Sequence, residues 1–274
     1  PFEVGAEQPD WWGSLGVSES GLTEDRYIAA IEYKERNNLP RGVRSDTVGG
    51  LFVVHHSATT VMAPEETDPS KMFTMPVHEV GRNADVFDAE AGVLMKAGSR
   101  LIFPSTHLPA NGIDTTAHLD VGFKFHPKGY EPTKKMEFLF FGNGPDLDIR
   151  AMESNQRADA YYTLPENAKL SVYEPHMHAP GVRMCLDAVW GTTVQTLNCS
   201  GYDHNWVRVY KYEDDEAPLL PKGTIIQLTG FFDNSPTNPN VPDPRNWSGS
   251  GHRSVDNMFI YLIQASYLDD EEFA

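Results

Sequence analysis

Short apolar runs separated by turn-forming residues recur along almost the whole chain, and they recur at strand length. Residues 51–55 (LFVVH) are β-branched and aromatic, as in a buried strand. Residues 100–107 (RLIFPSTH), 117–125 (AHLDVGFKF, with clear period-two alternation) and 135–141 (KMEFLFF) follow. The second half repeats the style at 158–164, 169–174, 182–190, 194–199, 207–212, 224–232 and 258–264. Residues 26–33 (RYIAAIEY) suit a short helix or a strand. Regular short spacing with turns between predicts an all-β chain of antiparallel sandwiches, not a βαβ fold. Residues 233–250, rich in Asn, Pro, Gly and Ser, read as a long loop, and 269–272 as an acidic fray. A chain of 274 residues suits two domains. The turn-rich GNGPDLD at 142–148 is their expected boundary. The division is then an irregular N-terminal extension over 1–24, bearing Trp11 and Trp12, a first sandwich over 25–145 and a second over 146–274.

Charge narrows the partners. Asp and Glu number 39 against 22 Lys and Arg, a net −17 that repels phosphate backbones and argues against nucleic acid. No apolar run approaches the ~20 residues of a membrane-spanning helix, so no transmembrane segment is expected. The sequence opens on Pro1 without a charged and apolar leader, as expected of a trimmed N-terminus, which fits export. If Gly191-Thr192-Thr193 is a three-residue hairpin loop, paired positions sum to 384. Cys185 and Cys199 then face each other within disulfide reach; the alternative is two buried thiols. A disulfide requires an oxidising compartment, here periplasmic or extracellular.

The ten histidines concentrate the candidate chemistry. His176 and His178 form an H-x-H, which on a strand aims both imidazoles to one face. His55 and His56 are adjacent, so they can share a metal only where the strand twists or bulges. His107 ends another expected strand. Met258 opens the last one. Imidazole with thioether suits copper, whose reduced ion is stabilised by soft sulfur. His78, His118, His126, His204 and His252 read as surface or hydrogen-bonding residues. Asp203 suits a turn.

The stretches EPHMHAPGVRMCLDAVW, GYDHNWVRVYKY, LLPKGTIIQLTGFFDNSPTNPNVPDP and SVDNMFIYLI together resemble the C-terminal domain of the copper type II, ascorbate-dependent monooxygenases. That family includes peptidylglycine α-hydroxylating monooxygenase and dopamine β-monooxygenase. VVHHS and KAGSRLIFPSTHLPANG resemble its N-terminal domain in order and spacing, so the likeness covers roughly residues 25–268. It implies two tandem antiparallel jelly-roll-like β-sandwich domains with one copper ion on each. His55, His56 and His107 match the ligands of the first, electron-storing copper. His176, His178 and Met258 match those of the second, oxygen-binding copper. Departures lie at the substrate positions. Glu174 stands where the peptidylglycine enzyme has the Arg that holds a substrate carboxylate, and Ile260 and Leu262 replace its Asn and Tyr. Ser105 replaces a Gln near the first site.

The resemblance implies hydroxylation of a C–H bond with dioxygen and an external electron donor or redox partner. The lost substrate residues favour an alternative, a non-catalytic scaffold or copper-binding accessory subunit of a membrane-associated redox complex.

Overall fold

The computed structural model describes residues 2–38, 52–68, 72–110, 112–253 and 255–274. The chain is all-β, with antiparallel sheets and a single short helix, Asp270–Phe273, among the described residues. That helix replaces the expected acidic fray. Asp269 caps it, its carboxylate accepting from the Glu271 and Glu272 backbone N–H groups while the Glu272 side chain bonds back. Among the described residues no helix is long and apolar enough to cross a membrane.

Two compact units divide at Lys134/Lys135, not at 145/146. The strand Lys135–Gly142 explains the difference. It pairs along its whole length with the last strand, Phe259–Leu268, and so belongs to the second unit. Gly142 is required at the end of this pairing, because a Cβ there would run into the Phe259 carbonyl oxygen.

Among the described residues the second unit has a two-stranded ribbon of Asp148–Ile149 with Ser248–Gly249 and two large sheets, which form a sandwich. One runs Lys135–Gly142, Phe259–Leu268, Asn167–Met177, Tyr210–Lys211, with Leu219–Leu220 also on Asn167–Met177. The other runs Gln156–Thr163, Ile225–Phe232, Gly181–Trp190, Thr193–Gly201. Alternate residues Phe259, Tyr261, Ile263 and Ala265 of the last strand meet Met184, Leu186, Leu228 and Phe232 in one core. Tyr173 is fully buried there and donates its hydroxyl to the Met184 carbonyl at 2.7 Å, while desolvation raises its pKa above the ordinary phenol value. A bulge between Leu170 and Val172 shifts the alternation of its strand. Tyr173 and Met177 therefore enter the core, while Glu174 and His176 take the other face.

Among the described residues the first unit holds three sheets. One contains Phe2–Val4, Thr115–Phe125, Arg26–Asn37 and Val93–Met95, with Ala84–Val86 on Arg26–Asn37. Residues 26–33 are thus strand, not helix. The second contains Gly16–Glu19, Arg100–Phe103, Thr60–Met62 and Phe73–Thr74, and the third Trp11–Gly13, Thr106–Leu108, His56–Ser57 and His78–Glu79. Residues 1–24 are consequently no irregular extension; they supply one strand to each sheet. The single strand expected over 100–107 is broken at Pro104, which lacks a backbone donor, and its halves lie in different sheets. The strand expected over 51–55 is also corrected. Leu51 lies outside the described residues, Val53 and Val54 are buried without strand pairing, and the strand begins at His56.

Cys185 and Cys199 are directly opposite and form a disulfide. The turn is not the expected three-residue loop. Trp190 pairs with Thr193, leaving the two-residue turn Gly191-Thr192, with Gly191 at φ +56°. A bulge after Leu186 then moves the register by one residue and restores the cysteine pairing. We expect thiol titration of the unfolded, unreduced protein to find no free thiol. Reduction should lower the stability of the second unit by about 2–4 kcal/mol in denaturant melts.

Candidate metal centres

The first centre is assembled by short strands and one carboxylate. Glu35, on the long strand Arg26–Asn37, accepts hydrogen bonds from the Val53 backbone N–H at 3.0 Å and from that of Val54 at 2.7 Å. This fixes the chain just before His55. The His55 backbone N–H donates to the His107 carbonyl at 3.0 Å, and its own carbonyl accepts from Val80 at 2.9 Å. His56 pairs directly with His107, so both side chains leave the same face of the sheet. His55 sits in a bend ahead of the strand. Its ring is thereby freed from the opposite face that a regular strand would impose, and it turns toward His56.

The three imidazoles converge. Ring centroids are 5.4 Å apart for His55–His56, 5.2 Å for His55–His107 and 5.2 Å for His56–His107. One nitrogen from each lies within 4.8 Å of the others. All three residues are buried, at 1%, 5% and 1% exposure. The Nδ1 atoms of His55 and His56 are 3.1 Å apart. Without a cation one of them must carry the proton and donate to the other; with one, both offer lone pairs. Nitrogens that bind one ion at about 2.0–2.1 Å stand about 3 Å apart, which is the spacing seen. Both ring nitrogens of His107 are buried without a hydrogen-bond partner; Nε2 lies 3.5 Å from Asp10 Oδ1, an approach short of a hydrogen bond. The donor set is three neutral nitrogens in a dry pocket. It fits a borderline or soft transition-metal ion and does not suit calcium or magnesium, which need oxygen.

The second group is less compact. His176 lies near the end of the strand Asn167–Met177 and His178 just beyond it; both are buried, and their ring centroids are 5.7 Å apart. The His178 Nδ1 is 3.0 Å from the Arg253 carbonyl oxygen. A carbonyl only accepts, so the proton sits on Nδ1 and the lone pair on Nε2. His176 pairs with Ile260 and Met177 with Phe259, where the pairing ends; His178 is the residue after it on one strand and Met258 the residue before it on the other. Met258 is half-buried and outside the core. Glu174, buried, lies opposite Leu262 on the face of His176 and Ile260.

Other histidines divide. His118 and His252 are exposed, and His126 bonds the Ala91 carbonyl at 3.0 Å. His78 is buried against Tyr33 and within 2.9 Å of the Arg82 carbonyl. His204, expected at the surface or in a hydrogen bond, is not at the surface: it is fully buried, with its ring 5.5 Å from that of His178. Asp203 makes the expected turn, accepting from the Asn205 backbone. Asp10, Trp12 and His204 lie against the two groups and Glu35 holds the chain just before His55; only Trp12 carried any signal in the sequence, as half of a bulky pair.

No family model and no curated protein matches the chain. It is similar to solved structures of infectious bursal disease virus. Against the Gx strain structure, identity is 8% over 100% of this chain and 72% of that chain, with a TM-score of 0.26. Against the T13 particle of that virus, identity is 8% over 99% and 68%, with a TM-score of 0.26. Against its VP2 subviral particle, identity is 9% over 89% and 57%, with a TM-score of 0.22.

The role of Glu35 is testable. Glu35→Ala should leave two buried N–H groups unpaired, cost about 1–3 kcal/mol per group left unsatisfied and weaken metal uptake by the three histidines. Glu35→Gln, which keeps one acceptor oxygen, should lose less in both denaturant melts and metal titration.

Proposed function

We propose that this chain is a two-site copper protein of the monooxygenase type, hydroxylating a C–H bond with dioxygen and electrons from an external donor. The observation that carries the reading is the convergence of His55, His56 and His107 in a buried all-nitrogen set. Copper, when bound, supplies one-electron chemistry at the first centre and oxygen chemistry at the second. The chain's own residues do the rest. His55, His56 and His107 hold the first ion among nitrogens alone, and His176, His178 and Met258 hold the second. The Arg253 carbonyl keeps the His178 ring in the tautomer that leaves Nε2 as ligand. The Met258 thioether favours the reduced ion. Glu174, Ile260 and Leu262 face the substrate side of this group, so a neutral or cationic substrate suits it and a carboxylate does not. The Cys185–Cys199 disulfide supports a periplasmic or extracellular site of action.

A second reading, an accessory subunit of a membrane-associated redox complex, is favoured by exposed apolar side chains on the second unit. Phe140 is 66% exposed, Tyr161 64% and Trp247 63%. Oxygen uptake separates the two. The copper-loaded chain with ascorbate and a neutral substrate panel should consume oxygen if it is a hydroxylase. No uptake, together with co-purification of tightly held subunits, selects the accessory role.

The sulfur ligand has its own test. Met258→Ala should weaken Cu(I) binding more than Cu(II) binding, and His176→Ala should weaken both. Because Met258 is only half-buried, its loss should cost less than the ~2–5 kcal/mol of a core methionine. A core-sized loss of stability with unchanged copper binding would remove Met258 from the site.

A further inference from the structure

We propose that Asp10 and Trp12 are positioning residues of the first centre: the N-terminal segment forms its fourth wall, and the Asp10 carboxylate there selects for the oxidised, more highly charged ion. The inference rests on the copper reading of the three histidines.

The strand Trp11–Gly13 pairs with Thr106–Leu108 in a register that sets Trp12 directly opposite His107. Their side chains share a face, and that face is the one carrying His56, which flanks His107 on the other side. The Trp12 ring stacks on His107 at 5.2 Å and 29°, and meets the edge of His56 at 4.3 Å and 65°. Two of the three imidazoles are thus held against one indole. A large, flat side chain at that point fixes ring orientation and excludes water from one side of the centre.

Asp10 precedes the strand and brings Oδ1 to 3.5 Å from His107 Nε2. His107 is 1% exposed, so this contact lies where water screens little. A histidine that binds an ion through Nδ1 carries its proton on Nε2, and ligand histidines commonly give that proton to a carboxylate. Imidazole binds a metal as a neutral ligand, so an ion held by three of them brings its whole charge into the buried site. A nearby carboxylate stabilises a doubly charged ion more than a singly charged one. Asp10 therefore does two things. It stands where the His107 Nε2 proton would be given up to an acceptor when an ion binds Nδ1, and it favours Cu(II) over Cu(I). Asn at this position would retain an acceptor oxygen and lose only the charge.

The test uses the full chain. Cu(I) and Cu(II) are titrated against chelators of known affinity into the wild type, Asp10→Asn, Asp10→Glu, Trp12→Phe and His107→Ala, with tryptophan emission recorded. Cu(II) should quench a component of wild-type emission that Trp12→Phe lacks and that His107→Ala no longer responds with. Asp10→Asn should weaken Cu(II) binding by about tenfold or more and change Cu(I) binding by less than about threefold. Asp10→Glu should restore most of the difference. A merely structural Asp10 would instead lower both affinities together, and that result, or no change in either, overturns the proposal. A quench that persists in Trp12→Phe places the ion away from the indole and overturns it as well. If the wild type takes up no copper, or if His107→Ala binds as the wild type does, the three-histidine reading itself fails and takes the proposal with it.

Discussion

Backbone pairing on both sides of the three-residue strand Thr106–Leu108 determines the first centre. On one side His107 meets His56, and on the other it meets Trp12. Residues directly opposite in antiparallel strands share a face, so this pairing collects two imidazoles and an indole at one point. A slip of one residue would send His107 to the other side of the sheet. The break at Pro104 makes the arrangement possible. Arg100–Phe103 stays in a different sheet, and Thr106–Leu108 is free to lie between the N-terminal segment and the His56 strand. His55 joins the group because it sits in the bend before pairing begins.

The second group depends on one extra residue. The bulge between Leu170 and Val172 decides which side of the sheet the rest of that strand presents. With it, Tyr173 and Met177 complete the core, and Glu174 and His176 keep the far face. Without it, the histidine would point into packed aromatics and the tyrosine out of them. Met258 immediately precedes the last strand, next to the final pair Met177–Phe259. Local stability and the geometry of this group therefore have one cause, the long pairing of Asn167–Met177 with Phe259–Leu268.

Strands with strong alternation were legible in the sequence, and their observed bounds differ from expectation by a few residues. Short strands were not. Phe2–Val4, Trp11–Gly13 and Gly16–Glu19 have no periodicity to read, because their order comes from partners about 80 to 115 positions away. The unit boundary was misplaced for a related reason. Lys135–Gly142 looks the same whichever sheet it joins, and only its pairing with Phe259–Leu268 assigns it. The disulfide was found through two compensating departures, a turn one residue shorter than assumed and a bulge that returns the register. The convergence of His55, His56 and His107 was legible because adjacent and strand-ending histidines are rare; His176, His178 and Met258 were singled out on residue type and order alone. Glu35, Asp10 and His204 were not, since a carboxylate that holds a loop or a histidine that fills a core looks ordinary until the chain brings it to its neighbour.

The central claim is that the three buried imidazoles of the first unit bind one copper ion. Diffraction from copper-loaded crystals, measured on both sides of the copper absorption edge, tests it most directly. The account predicts an anomalous peak about 2 Å from one ring nitrogen of each of His55, His56 and His107, with Nδ1 the nitrogen nearest the ion. Rings that remain 3.1 Å apart at Nδ1 with no anomalous density between them, in crystals whose solution shows copper uptake, would contradict it.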